Sequence, residues 1–131
     1  MEIPSQGLPI TVPGSLTVTG TTFRGDQAPQ VGGAIVIQGT PATFAGDTFA
    51  NNSTTGFGGA IYYSGGLSGE TLSIRGSVFT GNNTNSPAIG LGGAIYNGGT
   101  ATVANSLFEN NLAAGGASTM AAPSTAPSGR S

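Results

Sequence analysis

The chain contains no cysteine, no histidine, no tryptophan and no lysine, and most of these absences remove a class of function. Without cysteine there are no disulfide staples and no thiolate metal sites. Without histidine, the usual zinc sites and most catalytic triads cannot be assembled. Three arginines are the whole positive complement, against five acids, for a net charge of −2. Nucleic acid and anionic membrane surfaces both call for a basic face, so neither is an expected partner. Only 6% of the residues are charged, where an ordinary domain has roughly a quarter. No apolar run is long enough for a membrane span. Met1-Glu2-Ile3-Pro4 lacks the positive region and apolar core of a signal peptide. The chain opens and closes within its own pattern, so a piece of a longer protein is expected rather than a complete cytoplasmic one.

What is present is glycine, 24 of 131 residues, without the Gly-X-Y period of collagen. It falls within a repeated phrase. A glycine pair, Ala and Ile stand at Gly32-Gly33-Ala34-Ile35, Gly58-Gly59-Ala60-Ile61 and Gly92-Gly93-Ala94-Ile95. Each tetrad is followed by a Phe-x-x-Asn ending: Phe49 with Asn52, Phe79 with Asn82, and Phe108 with Asn111. Phe23 belongs to the same series, with Asp26 in place of the Asn, and the four phenylalanines are spaced by 26, 30 and 29 residues. Before each Phe lies an alternating segment: Leu16-Thr17-Val18, Ala42-Thr43-Phe44, Leu72-Ser73-Ile74 and Ala101-Thr102-Val103. Alternation of period two is strand patterning, and no helical period is sustained anywhere.

A phrase recurring every 26 to 30 residues is the signature of a stacked repeat. It fits one turn of a parallel β-helix with two or three short strands and glycine corners. Each strand pairs with its equivalent one coil away, roughly 4.8 Å distant. The expected architecture is all-β: a right-handed parallel β-helix, the hand following from the rule for parallel crossovers, of about three and a half coils. Residues 1–13 form an N-terminal cover or partial coil, residues 14–114 the β-helix repeats, and residues 115–131 a low-complexity tail expected to be disordered. A degenerate fourth glycine pair stands at Gly115-Gly116-Ala117-Ser118. Columns of Leu16, Ala42, Leu72 and Ala101, of Val18, Phe44, Ile74 and Val103, of the four phenylalanines, and of Ile35, Ile61 and Ile95 should face inward. Asn52, Asn82 and Asn111 should form an amide ladder at one corner, where Asn would also tolerate left-handed backbone. The rival is an antiparallel sandwich, for which Asn97-Gly98 is the one hairpin-turn pair. Open end coils would be edges able to self-associate.

Catalytic chemistry finds little material. The acids are Glu2, Asp26, Asp47, Glu70 and Glu109, scattered along the chain, and phosphate-cradling glycine motifs are absent. No cofactor, metal site or catalytic residue is expected, and the chain is read as no enzyme. The sequons at Asn51, Asn52 and Asn82 coincide with the corner ladder and read as structural. Candidate partner contacts are Tyr62 and Tyr96, equivalent positions after the tetrads, and the length-variable loops Ser64 to Glu70 and Thr84 to Leu91, with Leu67, Ser68, Asn85 and Ser86 at their tips. The bland reading of the tyrosines is an aromatic ladder supporting the sheet. Thr17, Thr43, Ser73 and Thr102 form one outward hydroxyl column; an ordered water layer on ice is one use for it, and ordinary outward strand composition is the favoured reading.

The phrase from Gly92 to Asn111 looks like the coils of the broad class of bacterial surface β-helix repeat proteins, and the pairing of the three GGAI tetrads with FxxN endings resembles most the repeats of the chlamydial polymorphic outer membrane proteins. These are autotransporters whose passenger is a right-handed β-helix on the cell surface. The resemblance covers about residues 14–116; Phe23-Arg24-Gly25-Asp26 departs from FxxN. It implies a non-catalytic passenger fragment at the cell surface, in the outer membrane or secreted, serving adhesion to a host-cell or matrix protein or glycan. Membrane attachment would come only through other parts of a longer protein. The alternatives are a fragment of a polysaccharide-active β-helix enzyme, a structural spacer, or an ice-binding protein.

Overall fold

A computed structural model describes residues 8–10 as backbone, and residues 14–65, 69–86 and 90–113 with their side chains. The chain winds through four successive passes. The first contains β1 (Leu8–Ile10), β2 (Leu16–Thr19), β3 (Thr22–Arg24) and β4 (Gln27–Ala28). The second contains β5 (Ile35–Gln38), β6 (Ala42–Ala45), β7 (Thr48–Ala50) and β8 (Ser53–Thr54). The third contains β9 (Ile61–Ser64), β10 (Thr71–Arg75), β11 (Val78–Thr80) and β12 (Asn83–Thr84). The fourth contains β13 (Ile95–Asn97), β14 (Thr100–Ala104), β15 (Leu107–Glu109) and β16 (Leu112–Ala113).

Equivalent strands of successive passes pair in parallel and build four four-stranded sheets, the arrangement of a β-solenoid. Each pass therefore uses four strands, where the sequence suggested two or three. The extra one is the two-residue segment after the Asn corner, too short for alternation to reveal it. Leu8–Ile10 pairs with Ile35 to Ile37, so strand pairing begins before residue 14. Asn97-Gly98 makes no hairpin: Asn97 brackets Gly99 with two side-chain hydrogen bonds, and β13 and β14 lie in different sheets. The expected tail at 115–131, with its degenerate glycine pair, lies outside the described residues.

The register aligns every expected column. Leu16, Ala42, Leu72 and Ala101 are partners, as are Val18, Phe44, Ile74 and Val103. Phe23, Phe49, Phe79 and Phe108 stack with centroids 4.5 to 4.6 Å apart and planes within 6° of parallel. Together with Ile35, Ile61 and Ile95 these side chains make one continuous core, against which Leu16 and Val18 are packed while only partly buried. Thr17, Thr43, Ser73 and Thr102 point the other way. The next outward column, Thr19, Ala45, Arg75 and Ala104, is mixed.

Corners follow from backbone requirements. The position before each Phe strand has positive φ at Gly20, Gly46, Gly76 and Asn105, and the position after it at Gly25, Asn51, Gly81 and Asn110. The left-handed residue is thus the one preceding the ladder Asn, not Asn52, Asn82 or Asn111 as the sequence suggested. The ladder residues keep ordinary backbone and turn their amides inward. The glycine pair divides two duties, seen at Gly58 and Gly59. Gly58 has φ +75°, and a Cβ on Gly59 would sit 2.0 Å from the Gly93 carbonyl oxygen and 2.6 Å from the Asn83 nitrogen. Only glycine satisfies both positions.

Candidate functional site

Two corner columns carry most of the buried polar side chains among the described residues. In the first, Asn52 donates from its backbone N–H to Asn82 Oδ1 at 3.0 Å, and from Nδ2 both to that oxygen and to the Phe23 carbonyl. Asn82 repeats the pattern toward Asn111 and Phe49. Asp26 opens this column, its N–H donating to Asn52 Oδ1 at 2.9 Å. Asn52 and Asn82 are fully buried, so these two sequons are consumed by the fold, whereas Asn51 is exposed. The second column was missed from the sequence: Thr21, Asp47, Ser77 and Ser106. The Thr21 N–H donates to Asp47 Oδ1 at 2.7 Å, Asp47 N–H to Ser77 Oγ at 3.1 Å, and Ser77 N–H to Ser106 Oγ at 3.1 Å. The signal was present, since each of these residues directly follows a corner Gly or Asn.

This accounts for two of the acids. Asp47 is 1% exposed and its Oδ2 has no hydrogen-bond partner. Burial pushes its carboxyl above the ordinary carboxylate value, partly offset by backbone hydrogen bonds from Thr21 and Ala45. Asp26 is buried in the neighbouring column. Among the described residues no three His, Cys, Asp or Glu groups gather as a metal site.

On the outer face of the first sheet, Tyr62 of β9 and Tyr96 of β13 are register partners, and their rings stack at 5.3 Å with planes 4° apart. Phe57 packs obliquely on Tyr96 at 5.1 Å. Phe57 was also missed; it bridges Val31 and Leu91, so an apolar residue precedes each glycine pair. All three rings are half-buried, and the facing surfaces of Tyr62 and Tyr96 are occupied by one another. The aromatic ladder is present, and the ring faces that Tyr62 and Tyr96 turn to one another are closed to a partner. Tyr63 by contrast is inside, donating its hydroxyl to the Thr40 carbonyl at 3.2 Å. Burial, and then the charge of Glu70, raise its phenol above the ordinary value.

Of the loop candidates, Leu67 and Ser68 lie outside the described residues. Asn85 is exposed and anchored by its N–H to the Thr54 carbonyl at 2.7 Å, while Ser86 accepts from the Gly90 N–H at 2.8 Å. Asn85 lines a cleft of about 460 Å³ with Gln27, Ala28, Pro29, Ser53, Thr54 and Thr55. Gln27 and Ser53 are partners between β4 and β8, so the cleft runs across coils. Thr55 donates its hydroxyl to the Pro29 carbonyl, tying the second coil to the first. Tyr62 and Tyr96 do not line this cleft; the structure places the candidates in two separate groups.

Residues 48–64 match the family model for the Chlamydia polymorphic membrane protein repeat. The matched stretch runs from β7 through the Asn52 corner, β8 and the Gly58-Gly59 pair to the end of β9. In that repeat Phe49 stacks in the core, Asn52 bonds up the ladder, and Ile61 opens the next pass. The same order recurs from Phe79 and Asn82 to Gly92 and Ile95. No curated protein and no solved structure matches the chain. Among the described residues no helix is long and apolar enough to cross a membrane.

Proposed function

We propose that the chain is a non-catalytic segment of a β-helix passenger that is displayed on the cell surface, held at the outer membrane or secreted, and that it serves adhesion. The observation that carries this reading is the polymorphic membrane protein repeat at residues 48–64, set within a stack that repeats the same corner and core residues. The disposition of the acids supports it: Asp26 and Asp47 are held inside the corner columns, where an acid in a working site needs access to substrate. The partner belongs on the outer faces, where Asn85 and the Tyr62–Tyr96 ladder lie. The test coats beads with the purified chain and counts their attachment to cultured epithelial cells and to matrix-coated wells. Attachment well above that of bare beads is expected, and attachment no greater than bare beads would overturn the reading. An assay on pectin and related polymers with calcium belongs beside it, with no product expected.

A further inference from the structure

We propose that the cleft across the fourth sheet is a binding site for a neutral oligosaccharide. The inference deepens the adhesive reading and rests on it for its biological setting. Side chains from three coils meet there: Gln27 and Pro29 from the first, Ser53 and Thr55 from the second, Asn85 from the third. Gln27, Ser53 and Asn85 keep their amide or hydroxyl groups out of hydrogen bonds with other described residues, so donors and acceptors of both kinds remain for a ligand. Among the described residues no charged side chain lines the cleft, which leaves phosphate, sulfate or carboxylate groups without a counter-charge there. The exposed Pro29 ring supplies apolar surface beside the polar groups. That combination suits a sugar, whose hydroxyls alternate with patches of C–H, better than a peptide needing a continuous strand edge. The strands of this sheet are already paired between coils, so no backbone edge is offered within the cleft. Equivalent positions recur once per coil, at roughly 4.8 Å. An extended oligosaccharide lying along the stack would therefore meet Gln27 and Ser53 in turn.

The experiment screens the full chain on immobilised neutral and acidic oligosaccharides, then measures affinity by titration for the strongest neutral hit. Gln27 and Asn85 are exposed, so Gln27→Ala and Asn85→Ala should fold normally, checked by thermal melting. Each is expected to weaken binding about tenfold, the value of one well-placed hydrogen bond. Thr102→Ala, exposed on another face, is expected to bind as the unaltered chain. Retention of acidic glycans alone, no retention of any glycan at millimolar concentration, or undiminished binding by both cleft variants would overturn the proposal. Bead attachment to cells stripped of glycans separates the two readings. Attachment that survives stripping overturns the glycan site and leaves adhesion standing; glycan binding without cell attachment does the reverse.

Discussion

At the corner after the phenylalanine strands, three amides headed by the Asp26 carboxylate hold the coils together; at the corner before them, hydroxyls and one carboxylate are set the same task. Both columns place a polar side chain directly after a left-handed residue, and both receive a backbone N–H from the preceding coil. The difference lies in what each side chain returns. Asn carries donor and acceptor on one planar group, so Asn52 and Asn82 each accept from one coil and donate to a carbonyl and to the next amide. Ser77 and Ser106 accept, and donate only to the carbonyl two residues earlier in their own coil. Asp47 can only accept when ionised, and its second oxygen is buried without a partner. A buried polar group is inexpensive when every valence is met and costly when one is not. The amide column is therefore expected to carry more of the register than its neighbour.

Asn82→Ala strands several buried groups at once, including the Asn52 N–H and the Phe49 carbonyl. At about 1–3 kcal/mol for each, a loss of roughly 3–6 kcal/mol is expected in denaturant unfolding. Phe79→Ala opens a gap between the stacked rings of Phe49 and Phe108, and an expected cost of about 3–5 kcal/mol sets the amide ladder against the core beside it. Ser77→Ala removes the acceptor for a single N–H, that of Asp47, so a cost of about 1–2 kcal/mol is expected.

Much of this was legible in the sequence because the repeat did the aligning. Once the phenylalanines were superimposed, Leu72 fell beside Ala101 and Ala42, and the amide ladder followed from Asn52, Asn82 and Asn111. The second ladder was hidden by chemistry: Thr21, Asp47, Ser77 and Ser106 differ in type although they hold one place. Phe57 was hidden because Val31 and Leu91 are not aromatic. The cleft could not be read at all, since Gln27, Ser53 and Asn85 become neighbours only through the register of the short fourth strands. Alternation over two residues specifies nothing, whereas the same alternation over Leu16–Thr19 specifies which face is buried.

Smaller effects sharpen the contrast within the weaker column. Asp47→Ser restores the hydroxyl that Ser77 and Ser106 already use, and removes the charge from a buried site. The raised carboxyl pKa of Asp47 means that the folded state holds its proton to higher pH than the unfolded chain, whose value is near 3.8. This group's contribution to stability is therefore fully present below the unfolded value and is lost as pH rises through the folded one. Asp47→Ser should melt higher than the unaltered chain at neutral pH, with the gap closing on acidification below the ordinary carboxylate range. A gap independent of pH would assign the effect to packing. Ser73→Ala, in the outward hydroxyl column, should change stability by less than about 0.5 kcal/mol.

The claim that the amide column holds the coils in register more firmly than its neighbour is tested most directly without any substitution, by native-state hydrogen exchange on the unaltered chain. The N–H groups of Asn52 and Asn82 donate to the amide column, and those of Asp47 and Ser77 to the hydroxyl column, within the same two coils. Asn52 and Asn82 are predicted to exchange only through global unfolding, with Asp47 and Ser77 opening at lower free energy. Asp47 and Ser77 protected as strongly as the two asparagines, or more strongly, would contradict the account.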